Sequence, residues 1–234
     1  MTTSTSTTAT ALPTPRDRVE KLAGDRLRVY QEGYLADRPD AVAALARLRR
    51  GAGKKPEHVP DLWALVDISP LHTPPEGARA LSESELERAE NALHTSLTLW
   101  ALHQQSRRDA RMHQSNSRGM PRGLGAAVRR MMKPDEIDEP LRKRLVRAGT
   151  APDLPVLAQR LRDIVLLLRR EQYPLDYALL AGQLYVWQWP DGPDRVRREW
   201  GRSFHARQSE ARQPRGEERP GDDQYTDQND KDAS

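Results

Sequence analysis

Apolar residues recur at intervals of three and four along most of the chain, the spacing of one face of an α-helix, and no stretch shows the period-two alternation of a half-buried strand. Thr14 and Pro15 read as the N-cap and first residue of a helix reaching about Leu35, with Val19, Leu22, Leu27, Tyr30 and Tyr34 as its apolar content. Pro39 starts a second helix, in which Val42, Leu45 and Leu48 share a face, and Gly51 stops it. Residues 56–81 are rich in proline and poor in periodicity, so they predict an ordered connection, with Trp63, Leu65 and Val66 plugging a short helical turn into the core. Ser82 and Glu85 then have the form of a capping box. Behind it Leu86, Leu93, Leu97 and Trp100 carry one buried face to about Gln105.

The character changes at Ser106. Residues 106–123 combine arginines with Gln114, Ser115, Asn116, Ser117, Gly119 and Gly123, a composition that predicts a mobile loop suited to a polyanion. Gly123 releases a helix with Leu124, Ala127, Val128 and Met131 facing inward and Arg129 and Arg130 outward. Pro134 ends it, and Asp135 to Glu139 open another, because acids favour a helix N-terminus. That helix buries Leu141, Leu145 and Ala148. Asp153 to Arg170 carries the clearest stripe (Leu154, Leu157, Leu161, Ile164, Val165, Leu168), and Leu175 to Gln188 is apolar nearly all round and therefore central. Pro193 opens the last helix, with Val196, Trp200 and Phe204 inside. The fold class is all-α: two packed helical sub-bundles, an N-terminal half over residues 16–133 and a C-terminal bundle over 134–207.

At 234 residues the chain has the length of one ordinary domain or two small ones. Residues 1–15 are uncharged and dominated by Thr, Ser, Ala and Pro, and residues 208–234 are polar and acidic, so both predict disordered tails. Charge is unevenly placed. Residues 213–234 hold seven acids and three bases, which leaves a body with 35 bases against 27 acids. That asymmetry favours a polyanionic partner, with the tail as a weak competitor for the basic surface. The absence of cysteine excludes disulfides, thiol catalysis and thiolate zinc sites, and fits a reducing compartment. No apolar run is long enough to span a membrane, and the first residues lack the charged region and apolar core of a secretory signal, so a cytoplasmic protein with no membrane partner is expected.

From Ser106 to Lys133 there are eight cationic residues against one acid, Asp109. Arg107, Arg111, Arg118, Arg122, Arg129 and Arg130 are the first candidates for phosphate contacts, then Arg47 and Arg50, then Lys143, Arg144 and Arg147 on one helix flank. Arg49 lies nearer the apolar side of its helix and reads as a structural ion pair, and Gly53, Lys54 and Lys55 extend the first patch into a loop. His94 and His103 are nine apart and fall on opposite helix faces, and His103 meets His113 only if the loop folds back, so no metal or cofactor is expected. Asp135, Glu136, Asp138 and Glu139 are explained by the helix start rather than as a nuclease pair. Gly123 and Gly125 are too few for a nucleotide fingerprint and suit a close approach to phosphate or a tight turn into a helix. Trp63, Trp100, Trp187 and Trp200 read as core residues rather than base-stacking platforms, and Trp189, in a turn beside Pro190, reads as either.

Several short segments occur in the order and spacing of a known family. They are Ala44-Leu45-Ala46-Arg47-Leu48-Arg49-Arg50-Gly51, Trp100-Ala101-Leu102-His103-Gln104-Gln105-Ser106 with a later Met112-His113, and Gly123-Leu124-Gly125-Ala126-Ala127. Further on come Leu145-Val146-Arg147-Ala148, Leu175-Asp176-Tyr177-Ala178-Leu179-Leu180, Trp187-Gln188-Trp189-Pro190, Arg195-Val196-Arg197 and Trp200-Gly201-Arg202. From about Pro39 to His205 the chain resembles the CasB family, the small subunit of the type I-E CRISPR surveillance complex Cascade. The resemblance implies an all-helical, non-catalytic subunit present in two copies, alongside the other Cascade subunits and a CRISPR RNA. It also implies contacts with the target and displaced non-target DNA strands that stabilise the R-loop in antiviral defence. One departure matters: the family commonly has a basic residue after the glycine of the Leu-Gly motif, whereas this chain has Ala126 and Ala127, so that contact falls to Arg129, Arg130 or Arg122. The alternative is a free-standing helical regulator or adaptor, with a nuclease as a third reading.

Overall fold

The computed structural model describes residues 11–117 and 120–212, with side chains as far as Ala206. The outer parts of both expected tails, together with Arg118 and Gly119, lie outside the described residues. These residues form nine α-helices and no strand: α1 (Pro15–Leu35), α2 (Pro39–Leu48), α3 (Trp63–Val66), α4 (Glu83–Gln104), α5 (Leu124–Arg130), α6 (Glu139–Gly149), α7 (Leu154–Arg170), α8 (Tyr177–Trp187) and α9 (Gly192–Arg212). The all-α class is what the periodicity predicts, and α9 continues past Arg207 to Arg212.

Helix starts are set by side chains that satisfy the first free amides. Thr14 and Asp17 form one capping box, and Ser82 and Glu85 form the other. Asp138, Asp153 and Asp176 accept from Leu141, Val156 and Leu179. α4 and α8 run through the middle. α8 is buried from Leu180 to Trp187, as its apolar composition requires. α4 is buried on more than the one face its leucines mark, because its polar residues are satisfied internally: Thr98 Oγ1 donates to His94 O (2.8 Å) and Ser96 Oγ to Tyr177 O (2.6 Å). α1 packs on α8, α6 on α7, and α5 on α9, around one continuous apolar core.

Two expectations change. In α3, Leu65 and Val66 are buried, but Trp63 is 58% exposed. Leu62, Leu65 and Val66 share the inward face of that single turn, and residue 63 lies about 100° round from Leu62. Gly125 serves neither a phosphate nor a turn: a Cβ there would run into the backbone of α9 at Trp200 and Phe204, so the glycine sets the closeness of the α5–α9 crossing. Ala126 and Ala127 beside it are also buried, which leaves no room for a cation at either position.

Candidate nucleic-acid interface

The predicted cations fall into two groups. Arg47, Arg50, Arg111, Lys143, Arg144 and Arg147 are exposed, and no described residue hydrogen-bonds or ion-pairs with their side chains, though the Lys143 charge helps to lower the pKa of Glu139. Arg47 and Arg50 sit at the end of α2 and in the turn after it, Arg111 in the segment between α4 and α5, and the last three on α6. Arg49 beside them donates to Gln105 Oε1 at 2.8 Å, so it is structural, as expected, but through a neutral partner instead of an acid.

The second group is occupied by the fold. Arg129 is buried at 3% exposure, and its guanidinium donates to the carbonyls of Lys133 (2.8 Å) and Pro134, closing the end of α5. The outward direction expected of it is therefore wrong: its face of α5 is covered by the chain leaving the helix. Arg107 donates to Arg169 O (3.2 Å) while Arg169 donates back to Gln105 O (3.2 Å). Arg122 is half-buried, reaches Met120 Sδ at 2.7 Å, and has its pKa pushed down by burial. Arg130 is half-buried and Arg118 lies outside the described residues. Arg108 pairs with Asp37 and lies 5.2 Å over the Tyr34 ring.

Arg144 and Arg147 line a groove of about 380 Å³ against α7, where Arg160 and Gln159 face them and Asp163 is the single acid. Gln159 Nε2 donates to Gly53 O (2.6 Å), which ties α7 to the cationic loop of Lys54 and Lys55. Gly53 lines this groove, whereas Lys54 and Lys55 line a neighbouring cavity on the other side of Pro155. Arg160, absent from the predicted residues, lies off the Leu157–Leu161–Ile164 stripe beside Val156, and its guanidinium donates to Arg147 O, so it belongs with the occupied arginines.

The segment after α4 does fold back. His103 Nδ1 lies 2.8 Å from the Tyr177 hydroxyl, and His113 Nδ1 accepts from Tyr177 N at 3.2 Å. Both imidazoles are held neutral: burial pushes His103 down to about 3 and lowers His113 as well. No three His, Asp or Glu side chains come together as a metal-holding group among the described residues. The acids before α6 are engaged locally, Asp138 as cap, Glu136 with Lys133 (3.1 Å) and Glu139 with Arg142 (2.8 Å). Trp189 is 38% exposed, with Arg88 stacked 4.1 Å from its ring centroid. No described helix is long and apolar enough to cross a membrane.

A match to the family of CRISPR-associated protein Cse2 spans residues 44–205. The crystal structure of CasB from Thermobifida fusca is 54% identical, with a TM-score of 0.70, over 80% of this chain and 98% of that one. A chain of a CRISPR RNA-guided surveillance complex shares the fold at 21% identity and a TM-score of 0.56, over 82% of this chain and 96% of that one. No curated protein matches the chain.

Proposed function

The chain belongs to the family of CRISPR-associated protein Cse2, and from that membership we propose that it is a non-catalytic small subunit of a type I-E Cascade complex. In that role it holds nucleic-acid backbone without reading sequence. The observation that carries this reading is the set of exposed cations with no hydrogen-bond or ion-pair partner among the described residues: Arg47 and Arg50, Arg111, and the α6 flank of Lys143, Arg144 and Arg147. Guanidinium groups spaced over a surface meet successive phosphates whatever the bases, and base pairing with the guide supplies sequence recognition. The partners are the other Cascade subunits, the CRISPR RNA, the target and displaced non-target strands, and a second copy of the chain. The setting is the cytoplasm, and the outcome is a stabilised R-loop.

The test is binding of the purified chain, and of the complex reconstituted with guide RNA, to single strands and duplexes of unrelated sequence across a salt series with EDTA present. Sequence-indifferent binding that weakens steeply with salt supports the reading. A strong preference for one duplex sequence overturns it in favour of a free-standing regulator, and a requirement for divalent metal with strand cleavage overturns it in favour of a nuclease.

A further inference from the structure

The stretch from Gln105 to Gly123 contains no helix or strand among its described residues, yet its backbone is held at many points, by Tyr34 Oη on Ser106 N (3.0 Å), by Leu175 on Met112 O (3.0 Å) and Gln114 N (3.3 Å), and by the side chains that follow. Gln104, at 0% exposure, uses both amide hydrogens and its oxygen on the segment: Nε2 donates to Arg107 O (2.6 Å) and Ala110 O (2.8 Å), and Oε1 accepts from Met112 N (2.9 Å). Gln31, at 2% exposure on α1, treats His113 as a neighbouring strand would, accepting from its N–H (2.9 Å) and donating to its carbonyl (3.0 Å). Asp176 caps α8 with one oxygen and takes Asn116 N with the other (2.6 Å), and Asn116 Oδ1 takes Arg122 N (2.7 Å). The mobile loop that composition predicts is, in the described residues, tied to the centre of the fold.

The choice of side chain is informative. Apart from Gln31 Oε1 also accepting from Trp100 Nε1 (3.4 Å), the bonds made by the two glutamines go to backbone of the segment, so they fix its path and leave Arg111 exposed and unpaired among the described residues. An amide is the only side chain of this length that both donates and accepts without charge. Glutamate in its place offers no donor and repels phosphate, and lysine offers no acceptor for Met112 or His113 N–H. We propose that Gln31 and Gln104 are positioning residues for nucleic-acid binding: they hold the Arg107–His113 stretch in its working shape before a strand arrives. A segment already ordered loses little freedom on binding, whereas a free one of this length must be ordered at the expense of affinity. The inference rests on the nucleic-acid reading above.

The test compares Gln31→Met and Gln104→Met with Arg111→Ala in the full chain, measuring affinity for oligothymidylate across a salt series. The methionines are expected to weaken binding at least ten-fold per folded molecule with an unchanged salt slope, because every cation is still present; Arg111→Ala is expected to flatten the slope. Methionine variants that melt lower but bind as tightly when folded overturn the positioning role. Hydrogen exchange on the unmodified protein decides the matter if the variants do not fold. The amides of Met112, His113 and Asn116 should exchange slowly before DNA is added and no more slowly after. Fast exchange in the free chain, or protection that appears only with DNA, overturns the inference. If Arg111→Ala and oligothymidylate itself have no effect, the underlying reading fails; if only the glutamine variants are silent, this inference fails alone.

Discussion

Replacing Arg144 and Arg147 by alanine removes two exposed guanidinium groups that no described residue pairs with, whereas replacing Arg129 removes one that is 3% exposed and bonded to two carbonyls. The two perturbations should separate completely. Each phosphate of a single strand that is no longer neutralised lowers the slope of log affinity against log salt by about 0.7, so Arg144→Ala with Arg147→Ala should lower it by about 1.4. Between about 50 and 200 mM salt, the wild-type chain then loses about seven-fold more affinity than the double variant. Its stability should change little, because neither side chain supports the fold. Arg129→Ala should do the reverse. Hydrogen bonds from a charged donor contribute roughly 1.5–3 kcal/mol, so a loss of about 2 kcal/mol and a fall in Tm of roughly 4–8 °C are expected, with the salt slope unaltered. Fluorescence anisotropy with a labelled oligothymidylate gives the slopes, and thermal melting followed by circular dichroism gives the stabilities. A slope that responds to Arg129 and ignores Arg144 and Arg147 would refute the division between free and occupied arginines.

Gly125→Ala places a methyl group 2.9 Å from Phe204 N and against the carbonyl of Trp200, and should destabilise by about 3 kcal/mol or more. Gly201→Ala, one helix away in open space, should be neutral or stabilising, and equal melting temperatures for the two would refute the close crossing. His103 is held near 3 by burial against its ordinary value of 6.5, so below that value the unfolded chain takes up a proton that the folded chain refuses, and stability falls as pH falls. His103→Gln should therefore flatten the dependence of unfolding free energy on pH, measured in urea between about pH 6 and 4.5, by about 1.4 kcal/mol per pH unit; an unchanged slope would mean the imidazole is charged in the fold.

The helices were legible in the sequence because their determinants are local. Thr14 with Asp17, Ser82 with Glu85, and the leucine stripes of α4 and α7 act within a few residues, and α1 and α4 start where their caps place them. What the pattern missed depends on partners far along the chain. Gly125 reads as a turn residue until α9 is laid across it, and the polar face of α4 reads as exposed until α8 covers it. Trp63 fails for a different reason: a one-turn helix is too short for periodicity to distinguish its two sides.

The same distinction divides the candidate site. Composition located the cationic segments, since net charge is a property of sequence alone, but it cannot assign each guanidinium to a phosphate or to a carbonyl. Arg107 and Arg129 have the residue type and spacing of Arg111 and Arg147, and differ from them only because Arg169 O, Lys133 O and Pro134 O lie within their reach. For arginine, with five donors and a long stem, the backbone carbonyls left free where a helix ends compete with phosphate: Arg169 O lies in the last turn of α7, and Lys133 O and Pro134 O lie just beyond α5. Arginines beside such helix ends therefore retain fewer available charges than composition counts, whereas on α6 Arg142 pairs with Glu139 and Arg144 and Arg147 keep theirs among the described residues. By that argument the α6 flank is the part of the interface where composition and availability agree, and it should contribute more to the salt slope per arginine than the segment after α4.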